Sequence, residues 1–307
     1  MIIVFRNITF LFIFALLLSC EDPAPIEIVN EEEEVEVEII NPQPNSIVIT
    51  GYDSTGITDE IPENESVISV SGIKNTINNV TYYKGYGEAV FFDTTKPVFI
   101  APERRIGFAT LDFGSVKFGS VTANVEPYIL RYRENYIIKD TLLGVKHTIN
   151  YERVLLPQQN NFPYNKNVNI EFKSQQGRSS LMTIRLPKEI KADIQVTGSR
   201  LQNNLKITLT WENDGNSSPI SGIKTEEIIV GGILESRDEL IPLFRLSRFN
   251  SNRFVLSNSF VEDVLSSGEY DFIVFTFLRK IRKSNSTSTL GDVHFASQSI
   301  HNIWIKI

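Results

Sequence analysis

Val168-Asn169-Ile170-Glu171-Phe172 alternates apolar and polar side chains without a break, and Lys206-Ile207-Thr208-Leu209-Thr210-Trp211 does the same. Successive side chains of an extended chain point to opposite faces. The first stretch therefore puts Val168, Ile170 and Phe172 on one face and Asn169 and Glu171 on the other. In the second, Ile207, Leu209 and Trp211 share a face opposed to Lys206, Thr208 and Thr210. Strands with one buried and one wet face read this way. Working outward, the same character extends in both directions. Val67, Ile68 and Val70 run into Ser71-Gly72, Thr81-Tyr82-Tyr83 precedes Gly85-Tyr86-Gly87, and Val90-Phe91-Phe92 follows. Beyond Ile194 and Val196 comes Asp271-Phe272-Ile273-Val274-Phe275-Thr276-Phe277. Gly, Asn and Pro punctuate these runs at short intervals. Gly85-Tyr86-Gly87 reads as a hairpin turn. Helical pattern is confined to short stretches, Asn258 to Leu265 and Ser236 to Leu240. The expectation is an all-β fold.

The segment Leu186-Pro187-Lys188-Glu189-Ile190-Lys191 is polar and proline-broken. It divides the β region into 47–190 and 191–307, each read as a β-sandwich domain, immunoglobulin-like or jelly-roll-like. In the second, Trp211 ends an early strand, Leu265 to Tyr270 forms a Leu-…-Gly-x-Tyr turn into a late strand, and Ile300–Ile305 closes the chain. Over residues 193–307 this resembles a fibronectin type III or related immunoglobulin-like domain. The long spacing from Trp211 to Tyr270 implies an insertion around Ile233–Phe249.

The N-terminus has a different character. Residues 1–20 read MIIVFRNITFLFIFALLLSC. Arg6 precedes an apolar run from Ile8 to Leu18 of about eleven residues, too short for the roughly 20 that span a bilayer. It fits the apolar region of an export signal. Leu17-Leu18-Ser19-Cys20 resembles the lipobox of bacterial lipoprotein precursors, with Leu18 where the family prefers a smaller residue. That resemblance implies cleavage after residue 19 and lipidation of Cys20, the single cysteine of the chain. Several acyl chains on one cysteine suffice for stable anchoring, so the membrane becomes a partner through this lipid. Glu21-Asp22 behind the cysteine resembles the acidic signal that sends Bacteroidota lipoproteins to the cell surface. The periplasmic face of the outer membrane is the alternative. Residues 20–46 follow, with Pro23, Pro25, Pro42, Pro44 and the block Glu31-Glu32-Glu33-Glu34-Val35-Glu36-Val37-Glu38. Like charges repel and extend a linker, so this segment is expected to be a flexible acidic tether. It lacks the spaced ligands and turn glycine of a calcium loop.

The chain carries a formal charge of −7, and loss of Arg6 on cleavage would make it one unit more negative. An acidic surface argues against a nucleic-acid partner. With Cys20 acylated no thiol remains for disulfides or thiolate chemistry, and the core must come from the 41% hydrophobic residues, 20 phenylalanines among them. Catalytic signatures are missing. There is no Gly-x-Ser-x-Gly elbow, phosphate loop or His-Glu-x-x-His. Of His147, His294 and His301, the last two are seven apart and so fall on opposite faces of a strand. No metal or cofactor is expected. Asp112, Glu126, Glu134 and Glu171 are acids among strands, and a carboxylate pair for glycan hydrolysis would have to come from such separated positions.

Tyrosines give the sharpest binding hypothesis. Tyr82, Tyr83 and Tyr86 lie together, and Tyr128, Tyr132 and Tyr136 recur every fourth residue beside Arg131 and Arg133. On an exposed face such rings stack on sugars; on an inward face they are core with hydroxyls at the rim. The basic run Arg279-Lys280-Ile281-Arg282-Lys283 fits a charged strand end that discourages edge pairing, or a contact for anionic lipid or glycan. Asp53-Ser54-Thr55, Asp93-Thr94-Thr95 and Asp140-Thr141-Leu142 resemble the Bacteroidota O-glycosylation sequon. Together these features lead to a non-enzymatic, lipid-anchored envelope protein binding a glycan or protein partner. A secreted glycan hydrolase with separated carboxylates, or a purely structural lipoprotein, are the alternatives.

Overall fold

A computed structural model describes residues 28–30, 33–40, 66–135, 137–150, 162–175, 177–212, 214, 223–234, 239–247, 249, 251–265, 270–287 and 291–306. The described chain is almost entirely β, as the alternating patterns require. Its backbone is a ten-stranded sheet. In spatial order this sheet contains β1 (Ile28–Asn30), β2 (Glu33–Ile39), β16 (Glu239–Ser247), β15 (Ile223–Leu234), β18 (Phe272–Thr287), β19 (Gly291–Ile305), β3 (Ser66–Ile77), β4 (Val80–Val90), β10 (Ile137–Asn150) and β9 (Asn124–Glu134). A four-stranded sheet holds β12 (Ser179–Arg185), β11 (Asn167–Ser174), β7 (Gly114–Phe118) and β8 (Val121–Thr122). A three-stranded sheet holds β13 (Ala192–Thr197), β14 (Lys206–Trp211) and β17 (Arg253–Ser257), and β5 (Phe92–Ala101) pairs with β6 (Arg104–Thr110). The expected helix at Asn258–Leu265 is present as α1. Ser236 lies outside the described residues, whereas Glu239 and Leu240 begin β16 rather than ending a helix.

Both halves of the chain share the long sheet. The last strand, β19, pairs in parallel with β3 from Val293↔Ser66 to Trp304↔Ile77, so sequence-distant ends meet at its centre. On one face of that sheet lie two hydrophobic cores. Ile68, Val70, Phe91, Val293 and Phe295 pack with Val116, Phe118, Ile170 and Phe172 of the four-stranded sheet. Val230, Phe275, Phe277 and Ile303 pack with Ile207, Leu209, Trp211, Phe254 and Leu256 of the three-stranded sheet. Val293, Phe295 and Ile303 are all odd-numbered residues of the unbroken strand β19, which places both cores on the same side.

Between the cores that face turns polar. Residues 186–191, the expected domain boundary, cross here from β12 to β13. Ser297 Oγ donates to Arg185 O at 2.6 Å, Ile190 N donates to Ser299 Oγ at 2.7 Å, and Ala192 N donates to His301 Nδ1 at 3.0 Å. Arg279, directly across from Ser299 on β18, is 0% exposed. Its guanidinium donates to Glu226 Oε1 at 2.7 Å, to Lys188 O and Glu189 O at 3.2 and 3.4 Å, and to Glu212 O at 2.8 Å. The basic run is therefore not a strand end: it lies mid-strand, with Arg279, Lys280 and Ile281 buried and Lys283 exposed. It occupies a central strand flanked by β15 and β19, where Arg279 supplies donors to backbone carbonyls that have no ladder partner.

The acidic segment also departs from expectation within 33–39. Val35 and Val37 are buried in the core of the three-stranded sheet, and Phe244↔Ile39 through Ser247↔Glu36 register β2 against β16. Glu38 lies 3.3 Å from Arg245, and Ser247 Oγ donates to Glu36 Oε2 at 3.5 Å. Alternate valines entering the core, with Arg245 beside Glu38 and Ser247 on Glu36, overcome the repulsion that would extend the block as a tether. The segment Ile233–Phe249, expected as an insertion, contains β16, the strand that joins β2 to β15.

Arg279→Ala strips donors from the Lys188, Glu189 and Glu212 carbonyls and leaves Glu226 with Lys224 alone. It is expected to cost about 3–5 kcal/mol in urea unfolding. A chain beginning at residue 47 lacks β2 and is expected to unfold at lower urea than one beginning at residue 21. Burial of Val35 and Val37 alone contributes about 3 kcal/mol or more, and equal midpoints would remove β2 from the stability of the fold.

Candidate functional site

Strand β4 reads Val80-Thr81-Tyr82-Tyr83-Lys84-Gly85-Tyr86-Gly87-Glu88-Ala89-Val90. Its turn is not at the glycines but before the strand. Asn78 and Asn79, with φ of 49° and 64°, form the two-residue loop that closes Ile77↔Val80. Two consecutive positive φ values define the hairpin turn type that suits strand twist, and Asn tolerates them. The glycines have a packing role instead. Gly85 pairs with Gly72 on β3, and a Cβ on Gly72 would come within 2.4 Å of the Phe162 ring. A Cβ on Gly87 would meet Ile149 at 2.7 Å. Small residues on the core-facing side let Phe162, Tyr164 and Ile149 seat against the sheet.

The opposite side of β4 carries Tyr82, Lys84, Tyr86 and Glu88 in a row. Tyr86 Oη donates to Glu88 Oε2 at 2.8 Å, and Lys146 Nζ from β10 donates to the same oxygen at 2.8 Å. Tyr82 is 44% exposed. It lies across from Asn75, whose Oδ1 accepts from Asn302 Nδ2 at 2.8 Å. Two phenol rings thus stand beside a carboxylate, an ammonium and side-chain amides. Such a strip can present ring faces to an apolar surface while its polar groups donate and accept around it.

The remaining tyrosines do not join this strip. Tyr83 is on the core-facing side, where burial and the Glu189 charge push its hydroxyl pKa up. Tyr128 packs edge-on to Phe92 with ring centroids 6.0 Å apart, and Tyr132 is buried. Arg131 beside them pairs with Asp140 at 2.8 Å, which lowers the Asp140 pKa. Tyr136 and Cys20 lie outside the described residues. Pattern alone missed Glu88, Lys146, Asn75 and Asn302. Tyr86-Gly87-Glu88 carries a visible i, i+2 signal for the first, whereas the others arrive by sheet register.

The other chemical candidates are dispersed. Glu171 pairs with Lys117 at 3.5 Å, Glu134 pairs with Lys139, and Asp112 Oδ1 accepts from Gly114 N at 3.0 Å. Glu126 is exposed on β9. His294 bonds Ser284 at 2.8 Å on one face of β19. His301, on the other face, accepts from Ala192 N through Nδ1, so its Nε2–H donates to Thr76 Oγ1 at 3.0 Å. Burial and the nearby Lys74 charge hold His301 down to a pKa of about 3. Among the described residues no group of three or more His, Cys, Asp or Glu could hold a metal ion. The chain matches no known family model and no curated protein.

His301 fixes the sign of a pH effect. Its folded pKa is depressed from 6.5, so the unfolded chain binds more protons below that pH. The stability it contributes is complete above pH about 6.5 and is lost as pH falls toward 3, by about 1.4 kcal/mol per pH unit. Urea midpoints at pH 7, 6 and 5 are expected to fall more steeply for the native chain than for His301→Gln.

Proposed function

We propose that this chain is a non-enzymatic lipoprotein of the outer membrane, attached through Cys20 and carrying a β body that binds a glycan. The observation that carries the reading is Cys20 itself, the single cysteine, placed at the end of the apolar run Ile8 to Leu18. The acidic residues Glu21 and Asp22 support the cell surface over the periplasmic face. The strip of Tyr82, Lys84, Tyr86 and Glu88 supports a glycan as ligand. Tyrosine rings match the apolar faces of pyranose rings, and the Glu88 carboxylate, Lys146 ammonium and Asn75–Asn302 amides match hydroxyls. The net charge of −7 disfavours a polyanionic partner. Catalysis has no part in this reading; of the candidate acids, Glu134 and Glu171 are engaged by Lys139 and Lys117.

The attachment test is fractionation with acyl labelling. The native chain is expected in the membrane fraction with label, and Cys20→Ala in the soluble fraction without it. A Cys20→Ala chain that keeps both would overturn the assignment. For the ligand, residues 21–307 are applied to a glycan array. Binding is expected to drop about tenfold in Tyr82→Ala and in Tyr86→Ala, with Tyr128→Ala as a control that leaves it unchanged. An array without signal would remove the glycan from the proposal.

A further inference from the structure

His147 lies on β10 between Ala89 of β4 and Val125 of β9 and is 1% exposed. Neither ring nitrogen has a hydrogen-bond partner among the described residues. Buried polar atoms are nearly always paired, so a buried imidazole with two idle nitrogens calls for a cause in its surroundings. The Phe91 ring sits edge-on with centroids 5.8 Å apart. The nearest charge is Asp112, whose Oδ1 lies 3.8 Å from His147 Nε2. This is about an ångström beyond a charge-assisted hydrogen bond. The same oxygen accepts from Gly114 N at 3.0 Å.

No other ionisable group faces the ring among the described residues. Glu88 of β4 and Lys146 of β10 are on the opposite face of the sheet and pair with each other at 2.8 Å. On β9, Glu126 shares that opposite face. β6 packs on β10 through Thr110 near Gly144, with Arg104 and Arg105 at its remote end and Arg105 stacked on Phe108. In the small sheet beneath, Glu171 is paired with Lys117.

We propose that His147 and Asp112 form an acid-responsive latch: when the imidazole takes up a proton from solvent, the Asp112 carboxylate moves from the Gly114 amide onto His147 Nε2. The neutral ring tolerates burial without a partner, whereas an imidazolium there has one carboxylate within reach. Burial lowers the His147 pKa and Asp112 opposes that shift, so the latch engages below neutral pH. The moving part is the turn from Leu111 to Phe113, which joins β6 to β7. Gly114 transmits the change because it has no slack. Its φ is +116°, and a Cβ there would sit 2.5 Å from Lys173 O on β11. Acid would thereby loosen the start of β7, the strand beside β11 in the four-stranded sheet.

Histidine-selective labelling of the full chain in detergent gives three ring signals for an NMR titration, one per histidine. His147 is expected to titrate below the ordinary value, and Asp112→Asn to lower its proton affinity at least tenfold further. Hydrogen exchange over 113–118 at pH 5 is expected to be faster in the native chain than in His147→Phe, or in His147→Gln if the phenylalanine variant does not fold. The latch is overturned if Asp112→Asn leaves the titration in place. It is equally overturned if exchange is the same with and without the imidazole, or if His147 takes no proton before the whole chain unfolds in acid.

Discussion

The buried guanidinium of Arg279 is the interaction on which the architecture rests. A sheet with two separate cores on one face has a seam between them, and the chain crosses that seam as irregular backbone. Carbonyls at Lys188, Glu189 and Glu212 lie outside the strand ladders there, and the Arg279 guanidinium donates to each. A guanidinium has five donors in a fixed fork, and Arg279 uses that fork to serve all three and Glu226 together. A lysine would bring fewer donors and a compact, strongly hydrated charge. Ser297, Ser299 and His301 complete the seam from the adjacent strand. The two cores are held in one body by hydrogen bonds rather than by continuous apolar packing.

That arrangement explains which parts of the structure were legible in sequence. Period-2 patterns such as Val168–Phe172 and Lys206–Trp211 report local burial, and they identified β11 and β14 directly. The helix at Asn258–Leu265 was visible through its length and cap. Sheet membership was not legible, because β19 pairing with β3 links residues more than two hundred positions apart without a local mark. The basic run misled for a related reason. Charge normally signals solvent, and only the long-range arrival of backbone carbonyls makes Arg279 an interior residue.

The acidic block taught a similar lesson at smaller scale. Glutamates dominate its composition, but Val35-Glu36-Val37-Glu38 is also an alternating strand. Period prevailed over composition because Arg245 waits near the glutamate side and an open core waits on the valine side. In the candidate site, adjacency within β4 was readable, whereas the split between Tyr83 and the pair Tyr82 and Tyr86 follows from the pleat. Gly87 looks like a turn residue until Ile149 and Phe118 are placed above it.

The parallel pairing of β19 with β3 has a consequence for the order of events in the life of the chain. Val293 and Phe295 complete one core and Ile303 completes the other, so the last fifteen-residue strand closes both. Until that strand has emerged, β3 lacks its central neighbour and neither hydrophobic layer is finished. Contacts of such high sequence separation make folding slow. Neither layer is sealed before β19 has docked between β18 and β3.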